Sequence, residues 1–251
     1  MIKYKHKFLK IQEIWFDNTQ VVDDVDKVIY QQVQSKIDDS FEEFYTLCIE
    51  LTKDEKEILK KIKKNFKYEI NRSKNKDKLT FNIYYNGIDD SVIEQFVEYY
   101  NKFSNKRGLS KLPLNIFKEY AKNKNLMIAA MSDKCENILS CHIYIVVKKR
   151  IRLKVSSSFF KDKDNETRNL IGRANKRLHI EVIEYCKNNG FETYDFGGWY
   201  NGHEDRKKLG INKFKESFGG EQEVSYNGEV CLTLKCKIHY LLAKIKKTMR
   251  G

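Results

Sequence analysis

A glycine-rich stretch, residues 194–220 (YDFGGWYNGHEDRKKLGINKFKESFGG), combines side chains that could bind a nucleotide diphosphate. Asp195 ends a short apolar run, and the glycine pair that begins at Gly197 permits positive φ angles or a close backbone approach. Trp199 and Tyr200 then offer flat faces on which a base or a sugar can stack. The order of these residues predicts a ligand-binding bend at the end of a strand.

Cations follow this bend and could pair with ligand phosphates: Arg206, Lys213 and Lys215. The alternative is a solvated loop whose charges face water while Phe214 and Phe218 fill the core. Spacing alone leaves both interpretations of Lys213 and Lys215 open.

A second candidate site lies where a strand pattern gives way to a helical one, at residues 169–174 (NLIGRA). The small residues Gly172 and Ala174 would let backbone amides approach an anion at the helix N-terminus, where the helix dipole adds to the attraction. Arg168 and Arg173 would add charged contacts, so a diphosphate suits this position. The alternative is an ordinary helix start with one flexible glycine.

Histidine is the commonest general base, and two of the five histidines could meet a ligand. His142 lies in an alternating strand pattern and could face a cleft, whereas His203 lies in the glycine-rich loop. We predict His142 or Asp195 as a proton acceptor, with His203 behind them. The alternative for His142 is a structural role in the sheet.

The elements that must position these residues begin with a basic helix. Residues 52–55 (TKDE) have the form of a capping box, and apolar residues then recur at intervals of three or four from Ile58 to Ile70. Lysines cover the other faces of this helix. A solvated cationic face is one interpretation, and contacts from Lys67 and Arg72 to ligand phosphates are the other.

Further along the chain, the patterns predict an α+β fold with one mixed sheet. Residues 126–159 read as three strands joined by short turns, which is an antiparallel meander. A long helix from about residue 172 to residue 188 follows and stops at Gly190. We expect residues 1–50 to form a strand-rich N-terminal extension packed on the core, and residues 51–251 to form the main domain.

The composition describes a globular protein with an anionic partner. Hydrophobic residues make up 41% of the 251 residues, and the formal net charge is +13. The chain has neither a run of about 18 apolar residues nor a signal sequence, so we expect a cytoplasmic protein without a membrane span. Its six cysteines form no C-x-x-C pair, which favours buried free thiols and predicts no metal site.

The C-terminal half resembles a known family. Residues 194–198 (YDFGG) and the pattern Gly210-Ile211-x-x-Phe214-Lys215-x-x-Phe218-Gly219-Gly220 are similar to the last domain of the Fem family of peptidoglycan-bridge aminoacyltransferases, part of the GNAT acyltransferase superfamily. The resemblance covers roughly residues 50 to 230 and implies a GNAT-like, mainly antiparallel sheet flanked by helices, with an N-terminal α/β extension. GNAT enzymes also hold the pyrophosphate of coenzyme A with a Q/R-x-x-G-x-G/A loop, which Asn169-x-x-Gly172-x-Ala174 resembles with Asn in the first place.

This resemblance implies an N-acyltransferase. Short Fem-like proteins are similar to enzymes that move an acyl group from acyl-coenzyme A to a nucleotide-linked amino sugar, here a dTDP-linked 3-amino-3,6-dideoxyhexose, for bacterial surface polysaccharide. The first alternative is aminoacyl-tRNA-dependent transfer to a peptidoglycan precursor. The second is a basic nucleic-acid-binding module, which the dispersed lysines disfavour; we therefore expect no nucleic-acid partner. Whether the chain forms a homodimer stays open.

Overall fold

A computed structural model describes residues 2–18, 22–159 and 163–248 of the chain, which divides into two compact units. One unit comprises residues 1–44 and 224–251, and the other comprises residues 45–223. The observed units therefore group the C-terminal 28 residues with the N-terminal strands, whereas the sequence predicted a boundary at residue 50 alone. The reason is strand pairing, since the last strand pairs with a strand near the N-terminus.

The first unit is a small sheet with one helix. Its elements are β1 (Ile2–His6), β2 (Leu9–Trp15), β3 (Lys27–Val33), a strand near the C-terminus (β10, Glu221–Cys231) and a final helix (α7, Leu234–Thr248). The strand order is β1-β2-β3-β10, with β2 and β3 parallel and the other pairs antiparallel. Cys231 and Cys236 form a disulfide, so the expectation of six free thiols was wrong for this pair.

The second unit contains the larger sheet and most of the helices. Its strands are β4 (Glu42–Glu50), β5 (Thr80–Tyr85), β6 (Leu126–Ser132), β7 (Ile138–Val147), β8 (Arg150–Ser157) and β9 (Thr193–Gly198), in the order β4-β9-β8-β7-β6-β5. Its helices are α1 (Glu55–Lys61), α2 (Lys64–Lys76), α3 (Asp90–Arg107), α4 (Leu114–Lys122), α5 (Asn165–Asn188) and α6 (Arg206–Glu216). Only β8 and β9 pair in parallel in this sheet, and β6, β7 and β8 form the predicted meander. The predicted α+β class with a mixed, mainly antiparallel sheet flanked by helices is confirmed.

Helix α5 is the central helix of the second unit, and it packs on α2, β6 and β7. Apolar residues at intervals of three or four, Ile171, Leu178 and Val182 among them, are buried against the core. Asp164 caps the helix, because its carboxylate accepts a hydrogen bond from Thr167 N at 2.9 Å. The helix therefore begins two turns earlier than the predicted start near Gly172.

The basic helix also differs from its prediction in two ways. It is broken into α1 and α2 at Ile62, whose backbone is extended. Its cap is Asp54, whose carboxylate accepts a hydrogen bond from Lys56 N at 2.8 Å, whereas the Thr52 hydroxyl donates to Glu50. The capping-box prediction was therefore wrong, since Asp54 offers a carboxylate acceptor two residues closer to the helix.

The described residues contain neither a candidate membrane span nor a candidate metal site. No helix there is both long and apolar enough to cross a bilayer. No group of three or more His, Cys, Asp or Glu side chains converges there in a way that could hold a metal ion.

Candidate active site

The candidate site is a cleft between the two parallel strands of the larger sheet. The pairing of β8 with β9 spans three positions, from Arg150 opposite Thr193 to Arg152 opposite Asp195. Past this point β8 and β9 no longer pair with each other, although β8 stays paired with β7 and β9 with β4, so the two strands part and leave a gap in the sheet. A cleft of about 590 Å³ opens there.

The cleft has an apolar floor and a cationic rim. Leu153 of β8, Phe196 of β9 and Phe214 of α6 contribute apolar surface, and Ser156 contributes a hydroxyl. Among the described residues that line the cleft, four carry a positive side chain and none carries a carboxylate; the cations are Arg107, Arg168, Lys176 and Lys215. This lining suits a ligand with both an apolar part and a phosphate group.

Asp195 lies under the cleft and is a structural residue. Its carboxylate is fully buried and accepts hydrogen bonds from Arg150 Nη2 at 2.6 Å, from Gly197 N at 2.7 Å and from the Thr46 hydroxyl. Burial raises its pKa, but the positive charges of Arg150 and Arg152 and the Thr46 hydrogen bond outweigh burial, so the net pKa shift is downward. The predicted role of Asp195 as the proton acceptor is disfavoured, because both of its carboxylate oxygens already accept hydrogen bonds.

Gly197 shapes a bend at the C-terminal end of β9. Its φ is +68°, and a Cβ atom at this position would lie 2.7 Å from the Leu153 carbonyl oxygen of β8. A residue with a side chain would therefore push the two strands apart where the cleft begins. The predicted need for a glycine at this bend has a physical cause in the sheet itself.

Lys215 lies beside this bend and is the buried cation of the cleft. Its ammonium donates hydrogen bonds to the carbonyl oxygens of Gly197, at 3.2 Å, and Gly198. Its pKa is lowered to about 8, chiefly by burial; Asp195 partly offsets this effect, and the neighbouring Arg152 adds to it. At neutral pH the side chain is mostly cationic, but its charge is poorly solvated and available to an anion.

A buried chain of hydrogen bonds connects two residues of the cleft wall. It runs from Asn175 through the rings of His142, Tyr144 and Tyr194 to His179. Successive donor–acceptor distances along it are 2.8, 2.8, 3.0 and 2.7 Å. Asn175 and His179 line the cleft, whereas the three intermediate side chains are fully buried.

The chemistry of the groups fixes the direction of these bonds. The Asn175 amide oxygen can only accept, so His142 donates to it from Nε2 and its Nδ1 must accept from the Tyr144 hydroxyl. Tyr144 then accepts from the Tyr194 hydroxyl, which in turn accepts from His179 Nδ1. The Nε2 atom of His179 is therefore left unprotonated, with a lone pair that can accept a proton.

Burial keeps both histidines neutral. It lowers the pKa of His142 to about 4, against a smaller opposing effect of its hydrogen bond to Asn175. It also lowers the pKa of His179 well below the usual value, and the nearby His142 and Lys215 add to this effect. The predicted role of His142 as the proton acceptor is disfavoured, because both of its ring nitrogens are hydrogen-bonded, whereas the Nε2 atom of His179, at the other end of the hydrogen-bond chain, is unprotonated.

The predicted coenzyme A loop is a helical segment. Residues 169–174 lie inside α5, where their amides belong to the helix rather than to an open turn. Ala174 is buried in the core, Arg173 is paired with Asp77 at 2.7 Å, and Asn169 is exposed outside the cleft lining. Of the five predicted coenzyme A contacts, only Arg168 and Gly172 line the cleft.

The other predicted ligand-binding residues lie elsewhere. Lys67 lines a separate groove beside α1, and its ammonium donates to the Lys60 carbonyl at 3.3 Å. Trp199 packs on the core. Tyr200 is tied to Asn212 and lies under the ammonium of Lys208 at 4.9 Å. The remaining predicted residues are exposed and outside the cleft lining: Arg72, His203, Arg206 and Lys213.

Sequence reasoning missed Asn175 and His179, although α5 carries a signal for both. Arg168, Gly172, Asn175 and His179 recur at intervals of four, three and four, so they share one face of the helix. The helical spacing of these polar and small residues therefore predicts that they line one site. Residues 169–174 were instead interpreted as a phosphate loop, so the shared helix face was not recognised.

Known proteins share part of this sequence and a similar fold. The model of the FemAB family matches residues 154–248, a segment that includes α5, β9 and α6. The fold is similar to that of FemX, with 13% identity and a TM-score of 0.56 over 73% of this chain and 61% of that chain. It is also similar to the C-terminal domain of a candidate lysylphosphatidylglycerol synthetase from Agrobacterium fabrum, with 13% identity and a TM-score of 0.52 over 87% of this chain and 72% of that chain. No curated protein sequence matches the chain.

The likeness to solved structures shows the fold, and the chain spans 61% of the length of the FemX structure. The FemAB match adds a sequence likeness over residues 154–248. The narrower likeness to nucleotide-sugar N-acyltransferases finds no support in these comparisons.

Proposed function

We propose that the protein transfers an aminoacyl group from an activated ester to an amine, and that the reaction takes place in the cleft between β8 and β9. The observation that carries this proposal is the pairing, in one cleft, of a buried cation on Lys215 with an unprotonated nitrogen on His179. Acyl transfer to an amine needs both, since an oxyanion develops while a proton leaves.

The start of α5 favours an aminoacyl ester over acyl-coenzyme A as the donor. A pyrophosphate bound at a helix N-terminus needs free backbone amides, but Asp164 already binds Thr167 N there. Its negative charge would also repel a phosphate. The predicted coenzyme A contacts at residues 169–174 lie within the helix, so their backbone amides cannot bind the pyrophosphate of that donor.

The comparisons favour the same donor class. The Fem family, which residues 154–248 match, consists of aminoacyltransferases in the resemblance drawn from the sequence. A second similar fold belongs to a candidate lysylphosphatidylglycerol synthetase, whose name describes an aminoacyl product. We therefore infer aminoacyl-tRNA as the donor and a peptidoglycan precursor as the acceptor. This proposal differs from the expectation that the protein has no nucleic-acid partner. A tRNA donor agrees with the net charge of +13.

The reaction can be written with the residues of the cleft. The neutral amine of the acceptor attacks the ester carbonyl, and the oxyanion that forms is stabilised by the ammonium of Lys215. His179 Nε2 accepts the proton that the nitrogen loses. The same proton passes to the departing ribose oxygen as the carbon–oxygen bond breaks, so the base is regenerated. Tyr194, Tyr144 and His142 hold His179 in the tautomer that this step requires.

A donor panel tests the proposal. The purified protein is mixed with an amine-bearing peptidoglycan precursor and either labelled aminoacyl-tRNA or acyl-coenzyme A. We expect acceptor-dependent loss of label from the tRNA and no thiol release. Because His179→Phe keeps the ring packing but removes the proton acceptor, we expect its rate to fall about 100-fold or more.

His203→Phe is the matched control, since His203 is exposed outside the cleft lining, and its rate should equal that of the parent. Thiol release with a nucleotide-linked amino sugar, and none of the aminoacyl-tRNA reaction, would instead support the sugar N-acyltransferase. Equal rates for His179→Phe and the parent would refute the role of His179.

A further inference from the structure

The final helix, α7, carries an apolar face that no other part of the described chain covers. Four of its large apolar side chains are strongly exposed: Leu234 (73%), Ile238 (49%), Leu241 (58%) and Leu242 (60%). Their spacing of four, three and one residues puts them on one side of a helix. In the sequence, Ile245 continues the same spacing.

The opposite side of α7 fastens the helix to the first unit. Cys236 is buried with Leu9 and Ile11 and is bonded to Cys231. The His239 ring packs edge-on against Phe8, with 5.0 Å between ring centroids. The helix has therefore buried one apolar side already, so the exposed leucines are a second apolar surface.

Positive charges border this second surface. At about 100° of rotation per residue, Lys235 and Lys237 fall on opposite sides of the stripe formed by Leu234 and Ile238. Both lysines are exposed, although Lys235 also pairs with Asp26 at 2.8 Å. From Cys231 to the end of the sequence the chain has no Asp or Glu; its cations there are Lys235, Lys237, Lys244, Lys246, Lys247 and Arg250.

We propose that α7 binds the surface of an anionic lipid bilayer, with its axis in the plane of the interface. The leucine face would enter the boundary between headgroups and acyl chains, while the lysines on both sides would meet lipid phosphates. A nucleic acid would match the lysines but leave the leucines in water. A second copy of the same face would bring two lysine-rich borders together, and like charges oppose that contact. An anionic bilayer satisfies both the apolar and the charged features.

Vesicle flotation tests this proposal with the full-length chain. One set of vesicles contains phosphatidylcholine alone, and the other contains phosphatidylcholine with phosphatidylglycerol. We expect binding to the anionic vesicles that weakens as salt is added, and little binding to the neutral ones. Leu234→Asn combined with Leu241→Asn should lower the partition coefficient at least about tenfold, because the apolar contact is lost.

Two further variants separate the contribution of the lysines to vesicle binding from that of the apolar face. Lys237→Glu should lower binding to anionic vesicles by about tenfold or more and leave the weak binding to neutral vesicles unchanged. Ile37→Asn is the matched control, because Ile37 is 46% exposed in the same unit but lies outside the helix; its binding should equal that of the parent.

Three results would overturn the proposal. The first is the absence of binding to the anionic vesicles, and the second is equal binding by the leucine double variant and the parent. The third is self-association of the parent that the leucine substitutions abolish, measured by light scattering on a sizing column. That result would assign the face to a second copy of the chain.

Discussion

Lys215 is the residue whose chemistry depends most on its surroundings. Lys213, two positions earlier in the same helix, is exposed, whereas Lys215 is buried against the carbonyl oxygens of Gly197 and Gly198 at the end of β9. Burial lowers the pKa of Lys215 to about 8. A cation with this pKa is present at neutral pH and is lost as the pH rises through about 8, and the oxyanion would lose its partner over the same range.

This gives a prediction for the pH profile. We expect the transfer rate of the parent to fall above about pH 8, and Lys215→Met to be about 100-fold slower or more, without a descending limb near that pH. The measurement is kcat/KM for transfer between about pH 6 and pH 10, with substrate amine titration determined separately.

Lys213→Met serves as the matched control, because it removes the same charge from an exposed position of α6. Its profile should follow that of the parent. A descending limb that persists in Lys215→Met would show that another group controls the rate there.

The sequence identified some of these residues and misjudged others for a consistent reason. It pointed to Lys215 and to the bend at Gly197, because their residue types are unusual for a short strand followed by a helix. It could not tell buried from exposed within residues 194–220, so Lys213 and Asp195 received functional roles. Asp195 looks like a base in the sequence, and only the contact with Arg150 across the sheet shows that its carboxylate is occupied.

At the scale of elements, α5 decides the shape of the cleft. Gly172 is one of its lining residues, and a Cβ atom there would meet nothing within 4 Å. A larger residue at this position would therefore fit without a clash but would project into the space that the substrate needs. Glycine in the middle of a helix costs about 1 kcal/mol relative to alanine, which is consistent with a requirement for space.

The substitution Gly172→Leu should therefore separate stability from activity. We expect the free energy of unfolding to rise by about 0.5–1 kcal/mol, because leucine favours the helix, while the transfer rate falls about tenfold or more. Urea unfolding and the transfer assay measure the two effects.

Gly210→Leu is the matched control, since Gly210 is helical in α6 and a Cβ atom there also meets nothing within 4 Å. It should gain similar stability and keep full activity, because Gly210 does not line the cleft. A Gly172→Leu enzyme that is as active as the parent would show that the substrate does not reach this part of α5.

Some strands and helices were predicted correctly from the sequence, and others were not. The meander of β6, β7 and β8 was predicted because alternating apolar residues and short polar turns are local signals. The start of α5 was misplaced because the cap at Asp164 lies in a polar stretch with several residues that could cap a helix. The parallel pairing of β8 with β9, and therefore the cleft, depends on a long-range contact that no local pattern encodes.

At the scale of the whole molecule, sequence and structure agree on the class but differ on the organisation. The Fem-like resemblance came from residues 194–220, and the family match covers residues 154–248. The grouping of the C-terminal residues with the N-terminal strands was missed, because the pairing of β10 with β3 joins segments almost 200 residues apart. The net charge of +13 suggested an anionic partner without selecting one.

The most direct test of aminoacyl transfer is the mass of the acceptor after reaction. Aminoacyl-tRNA, acyl-coenzyme A and an amine-bearing peptidoglycan precursor are supplied together, and the precursor is analysed by mass spectrometry before and after mild base treatment. We predict a gain of one aminoacyl residue that survives the base, because an amide resists conditions that hydrolyse an ester. An unchanged precursor, or one that gains the acyl group of coenzyme A, would contradict the proposal.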